Sequence, residues 1–192
     1  VTNTADNKCK KTIRGIRRDN EDTILVVCGC TAENHREELN DLDIKNKTIS
    51  NTNFDRCNLT SSDYKNTYFE KVVFSNCDFS NTKFIECNFR EVEFNNCKLV
   101  GVNISDCHIT KVTINSSQCK YINIIDTKTK ELTIEESDFS ESSFYNVELP
   151  KCILEDTCFK ESEFMHINLN GINFSTCDIT SIKIEERSLK GI

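Results

Sequence analysis

The sequence predicts an all-β fold, a right-handed four-sided parallel β-helix with an N-terminal cap, and three observations predict it. All twelve phenylalanines fall on positions ending in 4 or 9, from Phe54 to Phe174. That column runs from Ile44 to Leu189 and holds Phe, Ile, Leu or Tyr everywhere except at Cys119 and Thr129. Two residues before each large side chain lies a second column of small or β-branched ones, among them Thr52, Cys57, Ser62, Val72, Cys77 and Thr82.

Neither a strand, which alternates at two, nor an amphipathic helix, which recurs at three and four, gives a period of five. A chain that turns a corner every five residues does. The large residue fills the middle of each side, the small one fits the crowded interior beside it, and the remaining three point outward. Four sides close a coil of twenty residues, and coils stack at about 4.8 Å. Phe54, Phe74, Phe94, Ile114, Ile134, Leu154 and Phe174 then lie over one another, so neighbouring coils bury a face that no single repeat could bury alone.

The segments "CDFSN", "CNFRE", "CNLTS" and "CDITS" resemble the repeat unit of the pentapeptide-repeat family, which runs Ala, Asp or Asn, Leu or Phe, and two free positions, with Cys here in place of Ala. The resemblance covers residues 42 to about 189 and implies the solenoid fold.

The expected domains are a cap over residues 1–41, a solenoid over 42–186 and a tail over 187–192. Residues 1–41 lie outside the register and mix charges of both signs. In them "DTILVVCGC" reads as a strand and "AENHREELNDL" as a short helix or turn. The exposed end of a solenoid needs such a cover. At the other end Arg187 enters the inward small column, where an unpaired charge is not tolerated. The chain begins at Val1, which reads as a processed product or an excised segment.

Cysteine is abundant, yet Cys57, Cys77, Cys87, Cys97, Cys107, Cys152 and Cys177 hold the small inward column, where Cys packs as a compact hydrophobe. Most of these seven are expected to be reduced. In the cap, Cys9, Cys28, Cys30 and His35 form the one metal-like group. Structural zinc sites usually space a cysteine pair by two or more residues, so the preferred reading is a disulfide from Cys9 to Cys28 or Cys30, which implies an oxidising compartment. No metal or other cofactor is expected.

Asn46, Asn58, Asn103, Asn115 and Asn173 head glycosylation sequons. A chain this rich in Asn, Ser and Thr yields about as many by chance, so they leave the compartment undecided. From Asp41 to Lys130 eleven acidic residues face twelve basic ones, whereas from Glu131 to Glu163 ten acidic residues face two basic ones. The ten are Glu131, Glu135, Glu136, Asp138, Glu141, Glu148, Glu155, Asp156, Glu161 and Glu163. They read as a solvated surface or as an anionic patch for a basic partner.

A nucleophile-and-base site needs a His with a Ser or Cys partner. His108 and His166 occupy outward columns and His35 lies in the cap, so no enzyme is expected. No glycine-rich phosphate loop and no basic stripe with aromatics appears, so direct nucleic-acid binding is not expected. The longest apolar run, Ile24 to Cys28, falls far short of a membrane span.

Two function classes remain. The segment "NTYFEKVVFSNCDFSNTKF" is similar to the luminal domain of synaptic vesicle glycoprotein 2, and that resemblance implies a non-enzymatic extracytoplasmic recognition surface for an unidentified protein partner, secreted or luminal. The alternative, from the resemblance to quinolone-resistance pentapeptide-repeat proteins, is a cytoplasmic acidic regulator that mimics DNA and binds gyrase. Proteins of that group dimerise through a C-terminal helical segment, which counts against this alternative; Ile182, Ile184, Leu189 and Ile192 lie on or near the last coil without an obvious capping helix, so a homodimer through the C-terminal end is a further expectation.

Overall fold

The computed structural model describes residues 37–186. They form an all-β parallel solenoid of about seven coils. Every strand pairing is parallel and joins residues twenty apart, beginning with Glu37 opposite Cys57 and ending with Phe164 opposite Ile184. One ladder stacks the eight-residue strands Thr48–Asp55, Tyr68–Ser75, Asn88–Asn95 and His108–Asn115, then the shorter Leu132–Glu135 and Cys152–Glu155. A second stacks three-residue strands, from Asp63–Lys65 through Asn123–Ile125 and Ser143–Tyr145 to Glu163–Met165. Between them runs a row of single bridges from Asn58 to Asp178.

The period of five originates in the backbone. From Asp41 to Ser181 every fifth residue has a positive φ, with exceptions at Glu131, Lys151 and Thr176. An L-residue in this left-handed region crowds its own Cβ, at a cost of roughly 1–2 kcal/mol, which Asn, Asp and Gly tolerate best. Those three types hold thirteen of the twenty-six left-handed positions, among them Asn76, Asn96, Asp106 and Gly101. Each such residue turns the chain, so the next five repeat the same inward and outward directions.

Within the coils the two inward columns pack as expected. Phe74 stacks on Phe54 at 4.8 Å between ring centroids and on Phe94 at 5.1 Å, and Phe69 lies parallel to Phe89 at 5.0 Å. Val72, Val92 and Val112 are buried beside them. Edge-to-face contacts link different columns, as between Phe74 and Phe79 at 5.0 Å; such pairs add about 0.5–1.5 kcal/mol beyond burial. The aromatic packing forms two blocks, Phe54 to Phe94 and Phe139 to Phe174, joined by a layer of Leu99, Ile104, Ile109, Ile114 and Ile124.

The small column does more than fit. Its hydroxyls and thiols donate to the carbonyl of the large residue twenty-three positions earlier: Thr82 to Leu59 at 2.8 Å, Ser162 to Phe139 at 2.7 Å, Cys97 to Phe74 and Cys107 to Phe84, both at 3.4 Å. Ser, Thr and Cys thereby tie successive coils together, and among the described residues no buried side-chain polar atom lacks a partner.

The two lapses in the large column are accommodated. Cys119 and Thr129 are both buried, and the Thr129 hydroxyl donates to the Glu148 carbonyl at 2.6 Å. The long strand is interrupted here: Lys128–Thr129 and Leu132–Glu135 pair separately with His108–Asn115. Glu131 is also one of the three positions without a left-handed backbone, and Pro150, one coil on, has no N–H to give a ladder.

Of the inward-column cysteines expected to be reduced, Cys57 is instead disulfide-bonded; Cys77, Cys87, Cys97, Cys107 and Cys119 are buried free thiols, and Cys152, Cys158 and Cys177 are half-buried free thiols. The neighbouring Cys77 thiol and burial push the Cys97 thiol well above its ordinary range, and burial raises Cys152 to about 12. Thiolate, the reactive species, is thus scarce at Cys97 and Cys152 at neutral pH.

Three outcomes follow. Phe94→Ala should lower unfolding stability by about 3–5 kcal/mol in urea melts; a loss below about 1 kcal/mol contradicts the stacked core. At the corner, Asn96→Val should cost about 1–2 kcal/mol and Asn96→Gly almost nothing, and equal effects contradict the left-handed backbone. Maleimide should label Cys77, Cys87, Cys97 and Cys107 slowly in the native protein and completely in denaturant, as mass spectrometry reads directly.

Candidate functional site on the outward columns

Because the coils repeat at twenty residues, outward side chains twenty apart are nearest neighbours across rungs. Charges follow that rule. Lys83 lies 3.5 Å from Asp63, Arg90 3.6 Å from Glu70, Lys98 3.4 Å from Asp78, Lys111 3.9 Å from Glu91 and Lys183 2.6 Å from Glu163. Exposed pairs of this kind contribute little each, about 0–1 kcal/mol, but they decide which charges stay uncompensated.

The acidic stretch therefore divides. Glu131 pairs with Lys151, Asp138 with Lys120, Glu148 with Lys128, Glu161 with Lys160 and Glu163 with Lys183. Glu141 accepts the Tyr121 hydroxyl at 3.0 Å. What remains is a group of four carboxylates in two consecutive coils. Glu135 stands opposite Glu155 in the ladder, and the neighbouring corner residues Glu136 and Asp156 follow the same twenty-residue register. Glu136 accepts the Ser116 hydroxyl at 2.9 Å. Among the described residues no group of three His, Cys, Asp or Glu side chains is arranged to hold a metal ion.

The row of single bridges carries its own side-chain bonds. Asp78 accepts the Ser80 N–H at 2.9 Å and its hydroxyl at 2.6 Å, and Asp178 receives the same pair from Thr180. Partial burial opposes ionisation of Asp78, but the Ser80 bonds and the Lys98 ammonium outweigh it and hold the carboxyl below its usual value.

The sequon asparagines occupy different settings. Asn46 and Asn173 are exposed, while Asn58, Asn103 and Asn115 are half-buried, all three within strands. Asn173 accepts the Ser175 N–H at 2.9 Å, and Asn46 accepts from Asn66 at 2.8 Å. Cys9, Cys28, Cys30 and His35, with the whole expected disulfide, lie outside the described residues. His108 is exposed. His166 is exposed as well, with Nδ1 3.0 Å from a Glu185 oxygen.

Sequence reasoning missed one outward column. Ile125, Tyr145 and Met165 stand in register on three consecutive strands, with Tyr121 exposed at the adjoining corner. Its signal in the sequence is the recurrence of Ile, Tyr and Met at a spacing of twenty. Among the described residues no helix is long and apolar enough to cross a membrane.

Asp78→Ala should destabilise the fold modestly, with a pH signature. The folded-state pKa lies below the unfolded value of about 3.9, so the Asp78 contribution is present above that value and disappears as pH falls through the folded one. Wild type and variant should differ in urea midpoint at pH 7 and converge toward pH 2; a constant difference contradicts the assignment.

No curated protein matches the chain. Among solved structures, HetL, a pentapeptide repeat protein involved in heterocyst differentiation regulation from Nostoc sp. strain PCC 7120, aligns at 10% identity and TM-score 0.34, covering 78% of this chain and 89% of that one. Rfr23, a pentapeptide repeat protein from Cyanothece 51142, aligns at 12% identity and TM-score 0.35, covering 78% and 88%. Full-length QnrB1, a plasmid-mediated fluoroquinolone resistance protein, aligns at 15% identity and TM-score 0.22, covering 79% and 90%. Likeness this distant says nothing of function. The sequence itself is the firmer tie: residues 47–124 match the family model described as a pentapeptide repeat region.

Proposed function

We propose that the chain is a rigid, non-enzymatic protein-interaction module that works outside the cytoplasm, as a secreted or luminal recognition surface. The vertical register of its outward side chains carries this reading. Ion pairs, Asx-type bonds and corner residues hold each outward column at rung spacing, so a partner meets a surface already ordered and loses little entropy in fixing it. The compartment is taken from the resemblance read in residues 66–84. A Cys9 disulfide to Cys28 or Cys30 and glycans at the exposed Asn46 and Asn173 would be its marks. The last described coil, with half-buried Ile172, Phe174, Ile182 and Ile184 and exposed Ile179, is the end through which two copies would pair.

The second reading, an acidic cytoplasmic regulator that mimics DNA toward gyrase, draws on the stretch from Glu131 to Glu163. Five of its ten carboxylates are paired with lysines, which leaves a short anionic corner instead of a long duplex-like charge track. We therefore rank it second.

Expression through a secretory pathway followed by intact mass tests the choice. The exported reading expects a mass shift on reduction and alkylation in denaturant consistent with a disulfide at Cys9 beside that at Cys57, loss of mass with an N-glycosidase, and a stability loss of about 2–4 kcal/mol for Cys9→Ser. A fully reduced, unmodified chain that protects gyrase from a quinolone overturns it in favour of the regulator.

A further inference from the structure

We propose that the outward column Ile125, Tyr145 and Met165 is the docking face of the module, and that its partner is a cationic protein segment carrying aliphatic or aromatic anchors; this rests on the interaction reading above and names its surface. Among the described residues this is the single outward column in which three consecutive coils carry large apolar side chains in register. The same column is Lys45, Lys65, Ile85 and Ser105 in the earlier coils, so the apolar character is local and does not come from the repeat itself. The three side chains span two rungs, about 10 Å at strand spacing, enough for two or three anchors of an extended segment.

The strip is held in place. The Tyr145 ring packs edge-on against His166 at 4.9 Å between centroids, and His166 is fixed by Glu185, 3.0 Å from its Nδ1 and 3.2 Å from its backbone N–H. Tyr145 is 44% exposed even so, and an exposed aromatic ring immobilised by its own surroundings is the kind of residue on which interfaces concentrate their energy.

The borders select the sign of the partner. On one side Asp126 follows the strip at the corner, its carboxylate accepting the Asn146 amide at 2.6 Å. On the other lie Tyr121, Glu141 and Glu161, the exposed corner residues of three consecutive coils. Glu141 accepts the Tyr121 phenol at 3.0 Å, and Glu161 is paired with Lys160, so Asp126 and Glu141 carry most of the border's negative charge. Acidic borders around an apolar strip favour a basic segment through steering and complementarity and disfavour an acidic one.

The test uses a fluorescent twelve-residue peptide alternating Lys or Arg with Leu and Trp, an all-Lys-and-Ser peptide of equal charge, and an acidic counterpart, with binding to the full chain read by anisotropy at two salt concentrations. The amphipathic cationic peptide should bind at least tenfold more tightly than either control. Tyr145→Ser should weaken it about tenfold and Glu141→Gln with Glu161→Gln about threefold, while Ile153→Ser, in the other strand ladder, should change nothing. Circular dichroism and melting temperature confirm that each variant is folded. Equal binding of both cationic peptides, insensitivity to Tyr145→Ser, or self-association lost in Tyr145→Ser overturns the proposal. A partner mapped to another column also overturns it while leaving the interaction reading intact, whereas gyrase protection would remove that reading as well.

Discussion

The left-handed residue at every fifth position is the constraint on which the rest of this structure depends. Without that turn the large and small columns would not both face inward, since no unbroken strand or helix presents two of every five residues to one side. With it, each coil of twenty residues returns above its own start, and every contact that stabilises the fold becomes a contact between residues twenty apart, as between Phe74 and Phe94. The cost of the strained corners, about 1–2 kcal/mol where a residue other than Asn, Asp or Gly sits there, as at Lys71, Lys111 and Tyr121, is offset by burial of a large side chain in every unit.

Stacking also explains why the interior tolerates polar residues. Ser62, Thr82, Ser142 and Ser162 are essentially inaccessible to solvent, a placement that ordinarily costs stability unless each hydroxyl finds a partner. Here the partner is supplied by geometry: the carbonyl of the large residue in the preceding coil lies within reach, as Phe139 does for Ser162. Cysteine meets the same requirement with a weaker donor and a better hydrophobic fit, which accounts for its frequency at Cys77, Cys87, Cys97 and Cys107 without invoking redox chemistry.

Much of the fold was legible because the inward columns cannot vary freely. The large column from Ile44 onward and the small column beside it gave the coil length, and the ring stack from Phe54 to Phe94 followed. The corner geometry was less legible, because Arg56, Lys71 and Glu86 adopt the same left-handed backbone as Asn76 and Asn96, so residue type alone marks only part of it. The surface was least legible. A count along the chain sees Glu131 to Glu163 as one acidic block, but a charge feels its neighbour across the rung, and Lys128 and Lys183 lie far from Glu148 and Glu163 in sequence yet beside them in space. The strip of Ile125, Tyr145 and Met165 was hidden for the same reason. The break at Lys130 and Glu131 had no signal beyond the weak side chains Cys119 and Thr129 and the nearby Pro150.

The most direct measurement is a set of long-range nuclear Overhauser contacts in solution. Coil stacking predicts contacts between the rings of Phe74 and Phe94, between the methyls of Val72 and Val92, and between Ile124 and Phe144, all at a separation of twenty residues. Contacts confined to residues three or four apart, or rings of Phe74 and Phe94 that never meet, would contradict the account.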